Sequence, residues 1–154
     1  MRMFFGKARL AAWLGKLAVG TGAVLALQAC EGSPPPANAD VTTYADLEKG
    51  CSIALDRSAG LRSEILSTSL EAAPYCRCFA ALGATAPRAV SEAAVNALRA
   101  FEGRSPEMAD ALYATWAQDY RSWQSDSAPT DEARTLSAML SVRDDYQTSC
   151  TAAE

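Results

Sequence analysis

The chain has 154 residues, room for one domain once a leader is set aside. Four cations and no acid precede Cys30, whereas ten Lys and Arg and eighteen Asp and Glu follow it, so formal charge runs from +4 to −8 across that junction. An acidic body without a basic stripe argues against nucleic-acid binding and against attachment to anionic lipid through the domain itself, and the lack of any histidine rules out Ser-His-Asp and Cys-His machinery built from this chain alone.

The first element is a leader. Residues 1–16 form a cationic n-region carrying Arg2, Lys7, Arg9 and Lys16, and an uncharged run, residues 17–29, follows. That run is about thirteen residues, a signal-peptide length well short of the roughly twenty needed to span a bilayer. Gly20 and Gly22 weaken it as a permanent helix. An uncleaved anchor helix starting near Leu10 would carry Lys16 into the membrane, at a considerable cost.

At the end of the run, Leu27-Gln28-Ala29-Cys30 resembles the lipobox of bacterial lipoproteins. Leu27 and Ala29 are favoured types there and Gln28 is a tolerated one. The resemblance implies cleavage after Ala29, a diacylglycerol on the Cys30 thiol, and membrane attachment through several acyl chains acting together. Glu31 follows the cysteine where aspartate is the familiar inner-membrane retention signal, so the resemblance favours the outer membrane in a cell that has one. A rival site, Ala37-Asn38-Ala39 before Asp40, suits ordinary signal peptidase and would release a soluble periplasmic protein. The expected organisation is a signal peptide over 1–29, a lipidated cysteine and tether over 30–39, and a domain over 40–154.

The tether, EGSPPPANA from Glu31 to Ala39, is Pro-rich without apolar periodicity, and Pro34 to Pro36 hold a stiff polyproline stretch. From Asp40 onward helix signals dominate. Thr43 with Asp46 resembles a capping box, and Tyr44, Leu47, Cys51 and Leu55 follow at helical spacing, with Gly60 suited to the stop. Leu61, Ile65, Leu66 and Leu70 are helical in period, but Pro74 interrupts them. A short helix over Tyr75 to Leu82 ends near Gly83. The next spans Ala86 to Glu102, with Val90, Ala94, Leu98 and Phe101 inward and Gly103 at its end. Ser105-Pro106-Glu107 supplies an N-cap, a proline at the first helical position and an acid in the first turn. Thr130-Asp131-Glu132 opens the last helix in the same way. No segment alternates with a period of two. The fold class is therefore a small all-α bundle of four to six helices, whose alanine-rich core benefits from covalent staples.

Four cysteines, Cys51, Cys76, Cys78 and Cys150, lie in the domain. Export and the even count point to two disulfides. A metal site is disfavoured by one C-x-C, wide separations and the missing histidines, and a redox role for Cys76-Arg77-Cys78 lacks a surrounding βαβ pattern. On a helix, residues two apart diverge by about 200°, which excludes a Cys76–Cys78 bridge. Two pairings remain: Cys51–Cys78 with Cys76–Cys150, marginally preferred, and Cys51–Cys76 with Cys78–Cys150. Either clamps the C-x-C helix between the first helix and the last.

Tyr113, Trp116, Tyr120 and Trp123 form one aromatic stripe on the helix after Ser105. Core packing is the first expectation for it. A partner groove rimmed by Asp110, Asp119 and Arg121 is the second. Asp144 and Asp145 are adjacent and diverge on a helix, so they cannot act as a catalytic pair. Glu107 and Asp110 share a face and read as helix N-terminal charge. No phosphate loop or calcium loop is present. The expectation is a tethered, non-enzymatic binding or structural module without cofactor, whose partner is another envelope protein or the cell wall. The alternative is a soluble periplasmic redox or metal-handling protein using Cys76-Arg77-Cys78.

Overall fold

The computed structural model of the chain describes residues 40–66, 70–125 and 128–150. The leader, Cys30 and the tether lie outside them. The described residues form an all-helical domain: α1 (Val41–Arg57), α2 (Ala59–Ile65), α3 (Ala72–Ala84), α4 (Arg88–Arg99), α5 (Pro106–Ser125), α6 (Asp131–Asp144) and a single turn, α7 (Tyr146–Ser149). Among them there is no strand.

Asp40, not Thr43, caps α1: its carboxylate accepts from the amides of Thr42 and Thr43 at 3.0 and 3.3 Å. Aspartate satisfies the free amides of the first turn at least as well as threonine, and starting there adds a turn to the helix. The helix then turns Tyr44, Leu47, Cys51, Ala54 and Leu55 into the core. It stops at Ser58 rather than Gly60, because Ser58 takes an extended conformation and caps α2 through its own hydroxyl. Gly60 lies inside α2. A Cβ there would stand 2.8 Å from the Tyr113 ring, so glycine is what lets α2 approach α5.

In α3, Pro74 sits in the first turn, where its missing N–H leaves no bond unmade. The inward face carries Tyr75, Cys76, Phe79 and Ala80. Along α4 and just past it, Leu98 and Phe101 are buried and Ala94 half-buried, as expected, and only Val90 departs. Pro87 fixes the start at Arg88, and Ser91, Val95 and Leu98 point inward while Val90 is exposed. The buried Ser91 hydroxyl donates to the Arg88 carbonyl at 3.0 Å. After α4 the chain reverses through Gly103 at φ +70°, a backbone state that favours glycine. Thr130 Oγ1 caps α6 by accepting from the Ala133 amide at 3.1 Å.

α1 packs mainly on α3 and α4, while α5 pairs with α6. α3 also touches α4, α6 and α7. Trp116, Tyr75, Phe101, Leu47, Leu55, Leu98 and Met139 fill the centre without measurable exposure. The surface ion pairs Arg99–Asp46 and Lys49–Glu102 join α4 and its following turn to α1 at 2.9 and 3.6 Å. Such exposed pairs add little to stability.

Candidate functional site

The four cysteines of the domain form two bridges, Cys51–Cys76 and Cys78–Cys150, with Cα atoms 5.6 and 5.7 Å apart. This is the second of the two pairings left open by the sequence, not the marginally preferred one. The cause is which face each sulfur occupies. Cys51 belongs to the Leu47, Ala54 and Leu55 stripe of α1 and is fully buried. Cys76 stands beside Tyr75 and Phe79 on the inner face of α3 and is fully buried too. Cys78, turned about 200° from Cys76, lies at the rim, half-buried, where it meets the half-buried Cys150 just after α7. α3 is thus tied through its core face to α1 and through its outer face to the end of the described chain.

Along the aromatic stripe on α5, Trp116 alone is fully buried. It meets Phe101 edge-on, with ring centres 5.1 Å apart and planes at 82°. Its Nε1 meets no acceptor among the described residues. Tyr113 is half-buried over Gly60. Burial and Glu64 push its phenol above the usual value, against Arg121 and Arg143. Tyr120 packs against the core from outside and meets Trp123 edge-on at 6.1 Å. Trp123 is half-buried. The four aromatics therefore do not line one groove. Trp116 serves the core, and the Tyr120–Trp123 pair presents ring edges near the end of α5.

Asp110 does more than offer charge to its own helix. Its carboxylate accepts from the Gly60 amide at 2.9 Å and from Ser58 Oγ at 2.7 Å, and these bonds hold its pKa below the usual carboxylate range. At the other end of α2, Arg143 donates to the Glu64 carbonyl at 2.8 Å and to its carboxylate at 3.3 Å. An anion from α5 at its first turn and a cation from α6 at its last complement the dipole of α2. Glu107, by contrast, is held low by its own helix amide and by Ser105. Asp119 is half-buried and Arg121 exposed. Asp144 pairs with Arg143 at 2.7 Å and not with Asp145.

One feature was not legible in the sequence. An open cleft of about 680 Å³ lies between α2 and the start of α3, with Leu66 and Leu70 as apolar lining and Arg62, Ser63 and Glu71 as polar lining. Its only signal was the broken helical period between Leu61 and Pro74. Among the described residues, no three His, Cys, Asp or Glu side chains are grouped to hold a metal ion. Also among them, no helix is long and apolar enough to cross a membrane. No family model, no curated protein and no solved structure matches the chain.

Proposed function

We propose that the chain is an exported envelope protein, lipidated at Cys30, whose helical domain serves as a non-enzymatic binding or structural module on a Pro-rich tether. The observation that carries this reading is the pairing of all four domain cysteines in two bridges. Such staples persist in oxidising compartments and suit a small alanine-rich core. The leader and the Leu27-Gln28-Ala29-Cys30 motif agree with it. The recognition surface in this reading is the outer end of α5. Tyr120 and Trp123 there offer large, rigid contact area with polar tips. Its partner is another envelope protein or the cell wall, since the acidic domain repels nucleic acid.

Intact mass of the mature protein tests the anchor, with an acylated Cys30 as the N-terminus expected. Cys30→Ser then mis-processes or releases the protein. A native N-terminus at Asp40 removes the lipid from the proposal and leaves export. A photo-crosslinker at position 123 in native membranes tests the surface, and a single captured envelope component is the expected result. Crosslinking no different from that at exposed Ala111 refutes it.

A second reading has an observation of its own. In a soluble periplasmic protein cut after Ala39, the half-buried Cys78–Cys150 bridge is open to thiol chemistry in a way that Cys51–Cys76 is not. This reading makes the Cys76-Arg77-Cys78 segment a participant in thiol–disulfide exchange or metal handling.

A further inference from the structure

The two bridges leave the same short segment of α3 yet enter different environments. Cys51 and Cys76 show no exposure at all and sit among Leu47, Leu55, Tyr75 and Phe79. Exchange requires a thiolate to approach a sulfur along the S–S axis. For Cys51–Cys76 that approach is blocked until α1 and α3 separate, which is unfolding of the core. Cys78 and Cys150 are both partly exposed, at the edge of the same core.

The element that Cys150 secures is weakly built. α7 is four residues long, and none of them is buried. Its backbone bonds are local: the amides of Thr148 and Ser149 donate to the Asp145 carbonyl, and that of Cys150 to Tyr146. Tyr146 rests half-buried against the core. Such single turns have little stability of their own. The covalent tie to α3 adds to the core contact of Tyr146 in keeping this segment docked.

We propose that Cys78–Cys150 is a reversible thiol-exchange site whose partner is an exported protein dithiol, while Cys51–Cys76 remains closed as a structural staple. The inference rests on the thiol-exchange reading above and names its site and partner class. A dithiol thiolate attacks one sulfur of the bridge, and the other leaves as a thiolate. The second thiol of the partner then attacks the mixed disulfide. One S–S bond breaks in this domain and one forms in the partner, two electrons pass to the domain, and Cys78 and Cys150 end as thiols. A monothiol completes this sequence only when a second monothiol reaches the mixed disulfide before the freed cysteine does. The freed cysteine, still on the same chain, competes for that mixed disulfide and expels the monothiol. Reduction loosens α7 from α3 and α6, the helices it contacts.

The test uses the folded mature chain, treated in parallel with dithiothreitol and with reduced glutathione at equal thiol concentration. Freed thiols are alkylated at timed intervals and located by mass. The expected result is labelling of Cys78 and Cys150 about tenfold or more faster than Cys51 and Cys76, and faster with dithiothreitol than with glutathione. Hydrogen exchange of the dithiothreitol-treated protein should then show lost protection over 146–150 with α1 and α3 still protected. Labelling of Cys51 and Cys76 first, or in step with the other pair, overturns the site assignment while leaving thiol exchange in place. Equal opening by glutathione overturns the partner class. No labelling until the protein unfolds removes the thiol-exchange reading itself, and the proposal with it.

Discussion

Asp110 on α5 accepts a hydrogen bond from Ser58 Oγ at 2.7 Å, and the same hydroxyl accepts from the Leu61 amide at 3.0 Å. One fully buried serine therefore caps α2 and donates a hydrogen bond to a carboxylate 52 residues away. The bonds from Gly60 and Ser58 depress the folded-state pKa of Asp110. A depressed carboxylate contributes stability above its unfolded value, and that contribution is lost as pH falls through the folded one. Thermal melts between neutral pH and about pH 2 should show the melting temperature falling across and below the usual carboxylate range, near 3.9. Asp110→Asn should melt lower at neutral pH and show a shallower fall over that window. Parallel profiles for the two proteins would mean that Asp110 takes no part in holding α2.

Trp116 and Trp123 lie seven residues apart on one helix but meet different surroundings. Trp116 fills the centre, and Trp116→Ala should cost about 3 to 5 kcal/mol. Trp123→Ala removes a half-buried ring that lies outside the core cluster and should cost clearly less than Trp116→Ala. Because the Trp116 Nε1 has no acceptor among the described residues, Trp116→Phe should be milder than Trp116→Ala. It loses area but sheds an unsatisfied donor. Chemical denaturation of the three variants checks the order. Equal losses for the two alanine changes would place the whole stripe in the core.

Tyr75 donates its hydroxyl proton to the Met139 carbonyl at 2.7 Å, joining α3 to α6 through the core. Tyr75→Phe keeps the ring and should cost about 0.5 to 1.5 kcal/mol. Burial pushes this phenol far above its usual value, with Arg143 pulling weakly the other way. Raised folded-state pKa means that the folded state is at no disadvantage below the unfolded value of about 10, and that stability is lost as pH rises beyond it. In an alkaline absorbance titration, Tyr75 should ionise last of the five tyrosines, together with unfolding. Complete titration of all five in the folded protein would contradict its burial.

What the sequence made legible follows from which signals are local. Apolar periodicity marked the inner faces of α1 and α3, and Ser105-Pro106 and Thr130 marked the starts of α5 and α6, because caps and first turns are settled within a few residues. Gly60 reads locally as a stop, yet it lies inside α2. Its purpose is a close approach to Tyr113, which is 53 positions away and has no local signature. Val90 is exposed because it lies in the first turn of α4, at the helix end beyond the Ser91, Val95 and Leu98 contacts with the core. Asp110 read as a charge at its own helix N-terminus, whereas it satisfies the N-terminus of another. The cleft beside Leu66 and Leu70 depends on how α2 and α3 diverge, which no pattern in either segment encodes. The disulfide pairing was legible in principle. Cys51 lies on the core stripe of α1, and only Cys76 of the C-x-C pair shares a face with Tyr75 and Phe79.

That pairing makes a sharp chemical prediction. Trypsin acting on unfolded, unreduced protein should yield residues 50–57 linked to 63–77, and 78–88 linked to 144–154, because Arg77 separates the two sulfurs. The other pairing would link 50–57 to 78–88 instead. Energetics provide a second check. Sequence separations of 25 and 72 correspond to about 3.5 and about 4.4 kcal/mol of lost unfolded-chain entropy, so loop length alone makes Cys78–Cys150 the larger contributor. Burial reverses that order. Cys51→Ser with Cys76→Ser leaves two hydroxyls in the fully buried core, at about 1 to 3 kcal/mol for each one left unsatisfied. Cys78→Ser with Cys150→Ser leaves them at a wet rim. The inner double variant should therefore melt lower than the outer one, and the gap should narrow when alanine replaces serine at both inner positions. An outer variant that melts lower in both series would show that loop entropy, not burial, governs the two bridges.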